Sequence, residues 1–528
     1  MRNSESSLGR RSLLAALLFL SGLFQNLAAQ SSVQTFTPSP GPHAVGFTSV
    51  NQYDYSRSFT KFDLLGRVVN EGGYRPIQTS IWYPAVKDDN VQPMRFEDYV
   101  YLVANEVSFQ SLTEEAKSQA KKDLTAFLGS PESRFVNEMG TRTNAIRDLK
   151  PAEGSFPVII YAPSFNSQSF ENSVLCEYLA SHGYIVIASP CMGMRSRDMT
   201  LDLVGAEAQA RDIEFLISFA HDYPHADMSK MSVMGFSWGG LSNVLVKMRN
   251  DNVKAVICLD GTIRYLPKLF NQSPYADSLQ MNVPYLFLAA KNMSLEEIYK
   301  DNYEGSNSFF NSLKYSDAYL FTFHNLLHQN FASRLIKLQD RNPDANDEGT
   351  QDEVNQGYEL ACRYVLNFLD AYMKNDKNAL EFLQNKPEQN GIAAHQVTKL
   401  SKVGLKPPLS LREFANLLQK SGFDKASQIF GEVKKNSPDF TLKEEQVNLW
   451  GYALMSIGHL KEAIEVFKLN AELYPESFNV WDSLAEAYMN NGEIKAAIAN
   501  YQKSIDMNPQ NDNGIKMLQK LKEQKKPQ

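Results

Sequence analysis

Between residues 156 and 325 the chain alternates two kinds of segment. Short apolar runs, "FPVIIYAP", "YIVIASP", "KMSVMGF", "VKAVICLDG", "VPYLFLAAK" and "AYLFTFHN", are separated by longer stretches such as "ENSVLCEYLASHG" and "LDLVGAEAQARDIEFLISFAHDY", whose apolar residues recur at helical spacing. Runs that short and that uniformly apolar read as strands buried on both faces. Such strands belong to a parallel sheet covered by helices on both sides. The expected fold class is therefore α/β. Upstream, "AVGFTSV" and "IQTSIWYP" with glycines between them read as an antiparallel start to the same sheet. Residues 95–150 interrupt it. There Ser111 and Glu114 form a capping box, and Leu112, Ala116, Ala120, Leu124 and Phe127 repeat at helical spacing, which predicts a helical insertion. The long helix "DEVNQGYELACRYVLNFLDAYMKND" closes this domain near residue 386.

The two ends of the chain differ from this middle. Arg10 and Arg11 precede an apolar run from Leu13 to Phe24, and Ala28 and Ala29 follow it. This is the pattern of a secretory signal peptide over 1–29, so export to the periplasm or beyond is expected. The run is shorter than the ~20 residues that span a bilayer. No cysteine stands at the cleavage point, and no later segment reads as membrane-spanning. Residues 387–406 lose periodicity and read as a linker, leaving residues 30–386 as one domain and 407–528 as another. In the latter, Trp481, Leu484, Ala485, Tyr488, Gly492, Ala497, Tyr501 and Pro509 fit the tetratricopeptide pattern. One period of about 34 residues earlier stand Val447, Trp450, Gly451, Leu454, Gly458, Ala463, Phe467 and Pro475. A weaker copy holds Leu417, Ala426, Phe430 and Pro438, and "NGIKMLQKLKEQKK" reads as a polar capping helix. Such repeats imply a protein or peptide partner.

Composition narrows the function classes. A net charge of −7 and an isoelectric point near 5.8 argue against nucleic acid or an anionic membrane as main partner. Cys176, Cys191, Cys258 and Cys362 show no CxxC spacing, so the fold rests on its core rather than on a disulfide framework. No His/Cys/Glu cluster has metal-ligand spacing and no glycine loop suits a phosphate. Neither a metal nor a cofactor is expected.

The chemistry points to "VMGFSWGG". Gly235 and Gly239 flank Ser237 in a G-x-S-x-G, after a strand and before a helix, which is the setting of a nucleophile elbow. A serine at its free pKa is a poor nucleophile and needs a base with an orienting acid behind it. In this fold those follow in the order acid, then histidine. His324 and His328 both lie at the end of the last core strand; His324 reads as a strand-end packing residue and His328 hangs further out. Asp260, after "AVICL", is the better acid. The next strand offers Asn292 and no acid before Glu296, with Asp301 beyond.

"GFSWGG", the following "LDG" and the later "HQNF" resemble the platelet-activating-factor acetylhydrolase family of α/β-hydrolases and its dienelactone-hydrolase-like relatives. "GPHAVGFTSV", "IWYPA" and "LASHGYIVIASP" add to the similarity, which extends over about residues 40–380. The resemblance implies Ser237, Asp260 and His328 as a catalytic triad and short acyl or oxidised-lipid esters as substrates. It departs where the family carries His-Gly after the first core strand. Here Pro163 and Ser164 stand in "YAPSFNSQS", so the backbone N–H of Phe165 would join that of Trp238 in an oxyanion hole. Phe165, Phe236 and Trp238 would also narrow an acyl pocket. A peptidase or a carbohydrate or polymer esterase would use the same triad. A repeat-based binding protein with a scaffold hydrolase domain is the reading from another class, against which the intact Ser, Asp and His argue.

Overall fold

The computed structural model describes residues 38–62, 68–109, 111–128, 132–291, 307–338 and 350–523, so the expected signal peptide lies outside the described residues. One sheet organises the first unit. Its strands are β1 (Ala44–Phe62), β2 (Val68–Ala85), β3 (Ala145–Arg147), β4 (Phe156–Ala162), β5 (Ile185–Ala188), β6 (Ala226–Phe236), β7 (Val256–Leu259), β8 (Tyr285–Ala289), β9 (Ala318–Phe323) and β10 (Val397–Lys402). Their order is β10-β9-β8-β7-β6-β4-β5-β2-β1-β3. From β5 to β9 every neighbour pair is parallel. The glycine-separated runs at the start form the antiparallel hairpin β1–β2, which joins β5 antiparallel.

The apolar runs are buried on both faces because they feed two cores. Alternate residues of each strand go to opposite sides, as the pleat requires. Ile159, Tyr161, Met234, Phe236, Ile257, Leu259, Leu286 and Leu288 enter one core. Val158, Ile160, Val233, Val256, Cys258, Tyr285 and Phe287 enter the other. The helices Ser173–Ser181 and Gln351–Met373 cover the first face, and Leu203–His221 and Trp238–Lys247 the second. The helix Gln351–Met373 starts at the reciprocal cap between Thr350 and Glu353.

The insertion differs in detail from the expectation. Its helix begins at Glu114, and Thr113 Oγ1, rather than Ser111, accepts from the backbone N–H of Ala116 at 3.2 Å. Leu112 stays exposed, while Ala120 and Leu124 are buried. Phe96, Tyr99, Val100, Leu124 and Phe135 join the first core, so the insertion is part of the folded body. It ends in β3, which pairs parallel with β1; three residues carry too little pattern to read as a strand.

The expected linker needs a larger correction. Residues 397–402 form β10, paired antiparallel with β9 from Val397↔Phe323 to Lys402↔Ala318. Gly404 N–H donates to Asp317 Oδ1 at 2.9 Å and Leu405 N–H to Lys314 O at 3.0 Å. The first compact unit accordingly runs to Leu405 and the second begins at Lys406. In the second, helix pairs Leu411–Ser421 with Ala426–Asn436, Glu444–Ser456 with Leu460–Leu473, and Phe478–Asn490 with Ile494–Met507 precede a last helix, Asp512–Glu523. Gly458 and Gly492 turn the chain inside the last two pairs at φ +84° and +81°, a backbone region that favours glycine. The matched Phe467 and Tyr501 are fully buried.

Candidate active site

β6 ends at Phe236 and the next helix begins at Trp238, so Ser237 alone makes the turn. Its φ of +53° with ψ −115° is strained for a side-chain-bearing residue, at a cost on the order of 1–3 kcal/mol. The fold holds it there by backbone bonds. Ser237 N–H donates to Leu259 O at 3.0 Å, and Ser237 O accepts from Gly240 at 3.0 Å and Thr262 at 2.8 Å. The flanking glycines are required by space. A Cβ on Gly239 would lie 2.0 Å from Ala162 O, and one on Gly235 would lie 2.5 Å from the carbonyl carbon of Gly239. The serine stands at the carboxyl end of the parallel strands. There the sheet order turns back, β4 leading to β5 on one side while β6 lies on the other, which is where α/β sheets bind ligands.

The loops beyond β7 and β9 bring two distant side chains to this point. His328 Nε2 lies 2.9 Å from Ser237 Oγ, and His328 Nδ1 lies 2.7 Å from Asp260 Oδ2. The ring of His328 is flanked by Phe236 at 4.9 Å and Tyr265 at 5.6 Å between centroids, and remains about one-third exposed. Asp260 is fully buried. Its Oδ1 accepts from Ala290 N–H at 3.0 Å and from Arg264 Nη1 at 3.3 Å, and its Oδ2 accepts from Tyr265 Oη at 2.5 Å. Burial alone would raise its pKa. The hydrogen bond and charge of His328, then Arg264 and Tyr265, outweigh burial and hold the carboxyl below its ordinary value. His324 lies just past β9 and turns away, its Nε2 3.0 Å from Thr398 Oγ1 on β10. Glu296 and Asp301 lie outside the described residues.

The turn after β4 faces the elbow. Among the described residues, the backbone N–H groups of Phe165 and Trp238 donate to no partner within the chain. Trp238 opens a helix, whose first N–H groups have no intrahelical acceptor. The expected aromatic walls are sorted differently. Phe236 and Trp238 are buried, at 2% and 1% exposure, in opposite cores. Phe165 alone is half-buried, packed edge-on against Trp238 at 5.5 Å. All four cysteines are free and buried. Burial pushes the Cys258 thiol up to about 12.

Sequence reading missed two groups behind the site. Glu171, fully buried, accepts from Ser164 N–H at 2.8 Å, from Ser164 Oγ and from Ser167 Oγ at 2.7 Å. Arg334, also buried, donates to Gln168 Oε1 and, at 2.9 Å, to Ser167 Oγ. Neither belongs to a motif. A charged residue closing the otherwise uncharged "PSFNSQSFEN" was the available signal.

A doubly covered, mainly parallel sheet with a strained serine at its carboxyl edge defines the α/β-hydrolase fold, followed here by tetratricopeptide helices. Comparison with known proteins finds similarity over parts of each unit. Residues 142–286 match the family model described as Chlorophyllase, and residues 478–511 match a tetratricopeptide repeat. The Chlorophyllase match spans only part of the first unit, which as a whole has the α/β-hydrolase fold. No curated protein matches the chain. Among solved structures, a ferulic acid esterase from Streptomyces cinnamoneus is similar, with 20% identity, 70% of this chain and 98% of that chain covered, and a TM-score of 0.48. Among the described residues no helix is long and apolar enough to cross a membrane.

Proposed function

We propose that the protein is an exported serine esterase that cleaves carboxylic esters with short acyl groups through an acyl-enzyme. The observation that carries this reading is the hydrogen-bonded chain from Ser237 Oγ through His328 to buried Asp260. His328 Nε2 removes the proton as Ser237 Oγ attacks the ester carbonyl carbon. Asp260 accepts from Nδ1–H, which fixes the tautomer that leaves Nε2 free as base, and it stabilises the imidazolium that forms. The N–H groups of Phe165 and Trp238 receive the negative oxygen of the tetrahedral intermediate, where preorganised donors count most. The imidazolium gives its proton to the departing alcohol oxygen, leaving the acyl group on Ser237. Water then attacks with His328 again as base, and the acid leaves as Ser237 regains its proton. The half-buried Phe165 supports a short acyl group, because it stands beside the hole and each methylene left unburied forfeits about 0.8 kcal/mol. The repeats are proposed to hold a peptide or protein partner, and residues 1–29 to direct export.

The test is fluorophosphonate labelling of the full-length protein together with hydrolysis of p-nitrophenyl acetate. Wild type labels on Ser237 and turns over the ester, and Ser237→Ala loses both, with turnover down by about a million-fold. A wild-type protein that neither labels nor hydrolyses any ester ends the reading. Export is checked separately, by whether protein recovered outside the cytoplasm starts after Ala29.

A further inference from the structure

We propose that Glu171 is the positioning residue of the oxyanion-hole turn, and that Arg334 couples that turn to the loop carrying His328. The inference rests on the esterase reading of the site. Ser164 to Ser167 form a tight turn, closed by Ser167 N–H on Ser164 O at 3.0 Å, with Asn166 at φ +56°. From outside, the turn is held by Met199 N–H donating to Asn166 Oδ1 at 2.8 Å and by Cys191 N–H donating to Ser167 O at 2.9 Å. Glu171 supplies the charged anchor from inside. One oxygen accepts from Ser164 N–H at 2.8 Å; the other accepts from the hydroxyls of Ser164 and of Ser167, the latter at 2.7 Å. With the peptide before Phe165 and the far side of the turn both anchored, the Phe165 N–H between them keeps one direction. That direction leaves it without an acceptor among the described residues.

The charge is balanced from the histidine side. Arg334 Nη2 stands 3.7 Å from Glu171 Oε1 and 2.9 Å from Ser167 Oγ, and Nη1 reaches Gln168. The two loops share backbone bonds as well. Arg334 N–H donates to Glu171 O at 3.1 Å, Asn172 Nδ2 donates to Phe331 O at 2.9 Å, and Ser333 N–H donates to Asn172 Oδ1 at 3.1 Å. Hole and base are thus parts of one hydrogen-bonded body. Their separation is set by buried polar groups rather than by the substrate.

The carboxylate touches no reacting atom, so its loss acts on the transition state and spares ground-state binding. In Glu171→Gln an amide N–H₂ replaces one acceptor oxygen, and the turn loses part of its anchorage. Turnover of p-nitrophenyl acetate by the full-length protein falls by about 10²-fold, the scale of one lost oxyanion donor. KM stays within about twofold, the mark of an interaction made only in the transition state. A trifluoromethyl ketone, which forms a tetrahedral oxyanion on Ser237, loses affinity in the same proportion as kcat/KM. Ser164→Ala, which removes one donor to Glu171, shows the same pattern on the order of tenfold, and it carries the test if Glu171→Gln fails to fold. The control is Glu177→Gln, a buried carboxylate on the following helix bonded to Tyr99 Oη and Asn144 N–H. That variant loses stability and keeps kcat. Unchanged kcat in the folded Glu171 and Ser164 variants overturns the proposal, and so does an equal loss in Glu177→Gln. Wild-type protein without esterase activity instead overturns the reading on which the proposal rests.

Discussion

Asp260 shows how much one buried side chain is asked to do. It sits at φ +42°, fully buried, with both oxygens occupied by His328, Tyr265, Ala290 N–H and Arg264. Asp260→Asn keeps the shape and loses tautomer control of His328, so turnover falls by about 10⁴-fold. The same carboxyl sets a pH dependence of stability. Its pKa is depressed on folding from the ordinary 3.8. It therefore contributes stability that is full above that value and lost as pH falls through the lower folded one. Urea unfolding at several acid pH values should show the difference between wild type and Asp260→Asn shrinking as pH falls below about 4. His328→Ala should approach the Ser237→Ala defect, whereas His324→Ala keeps most of its activity, because His324 bonds Thr398 and faces away. Ser237, Asp260 and His328 were legible because each follows a recognisable strand in a known order. The direction of an aromatic ring was not. Phe236 and Trp238 were expected at the acyl pocket and are packed in opposite cores, which leaves Phe165 half-buried against Trp238. Wild type should show kcat/KM falling from p-nitrophenyl acetate to palmitate, and Phe165→Ala should flatten that decline; a rise toward long chains in wild type would refute the short-acyl pocket.

At the scale of elements, the turn between β6 and its helix is the tightest. Gly239→Ala sets a Cβ against the carbonyl of Ala162, and two backbones cannot both yield. The cost belongs at or above the top of the usual overpacking range of about 1–3 kcal/mol, read from chemical unfolding. β10 makes the opposite lesson. Residues 387–406 read as linker because their periodicity is lost, and within "VTKLSK" only Val397 is buried. An edge strand is held by its backbone ladder, which leaves no trace in side-chain pattern. Its lysines also work locally, Lys402 Nζ reaching Phe310 O at 3.0 Å and Asn311 O at 2.6 Å. The point of truncation therefore matters. A fragment ending at Leu405 should fold and retain esterase activity. One ending at Lys399 loses half the strand and should melt lower by on the order of 5 °C or more. Equal melting temperatures would show that β10 adds nothing to the sheet.

The whole molecule is two compact units, one ending at Leu405 and one beginning at Lys406. Each has cores of its own, on both faces of the sheet in the first and between successive helix pairs in the second. A fragment spanning 406–528 should accordingly be helical by circular dichroism and unfold cooperatively by itself, as repeat arrays do through neighbour contacts. Repeat and sheet were both readable from the chain because their signals are local periods: two residues along a strand, 3.6 along a helix, about 34 along the repeat. The elbow was readable for a related reason, since its glycines answer to a turn only a few residues long. By itself, then, the sequence determined the α/β class, the repeat array, the position of the serine and the order of its partners. Tertiary structure decided what brings them to bonding distance. Ser237 and His328 lie 91 positions apart in the chain, and Ser167 and Arg334 lie 167 apart. No local period encodes such pairs. They exist because β4, β6, β7 and β9 lie in one sheet and deliver their loops to the same edge, where burial makes each unpaired polar group costly enough to fix its partner.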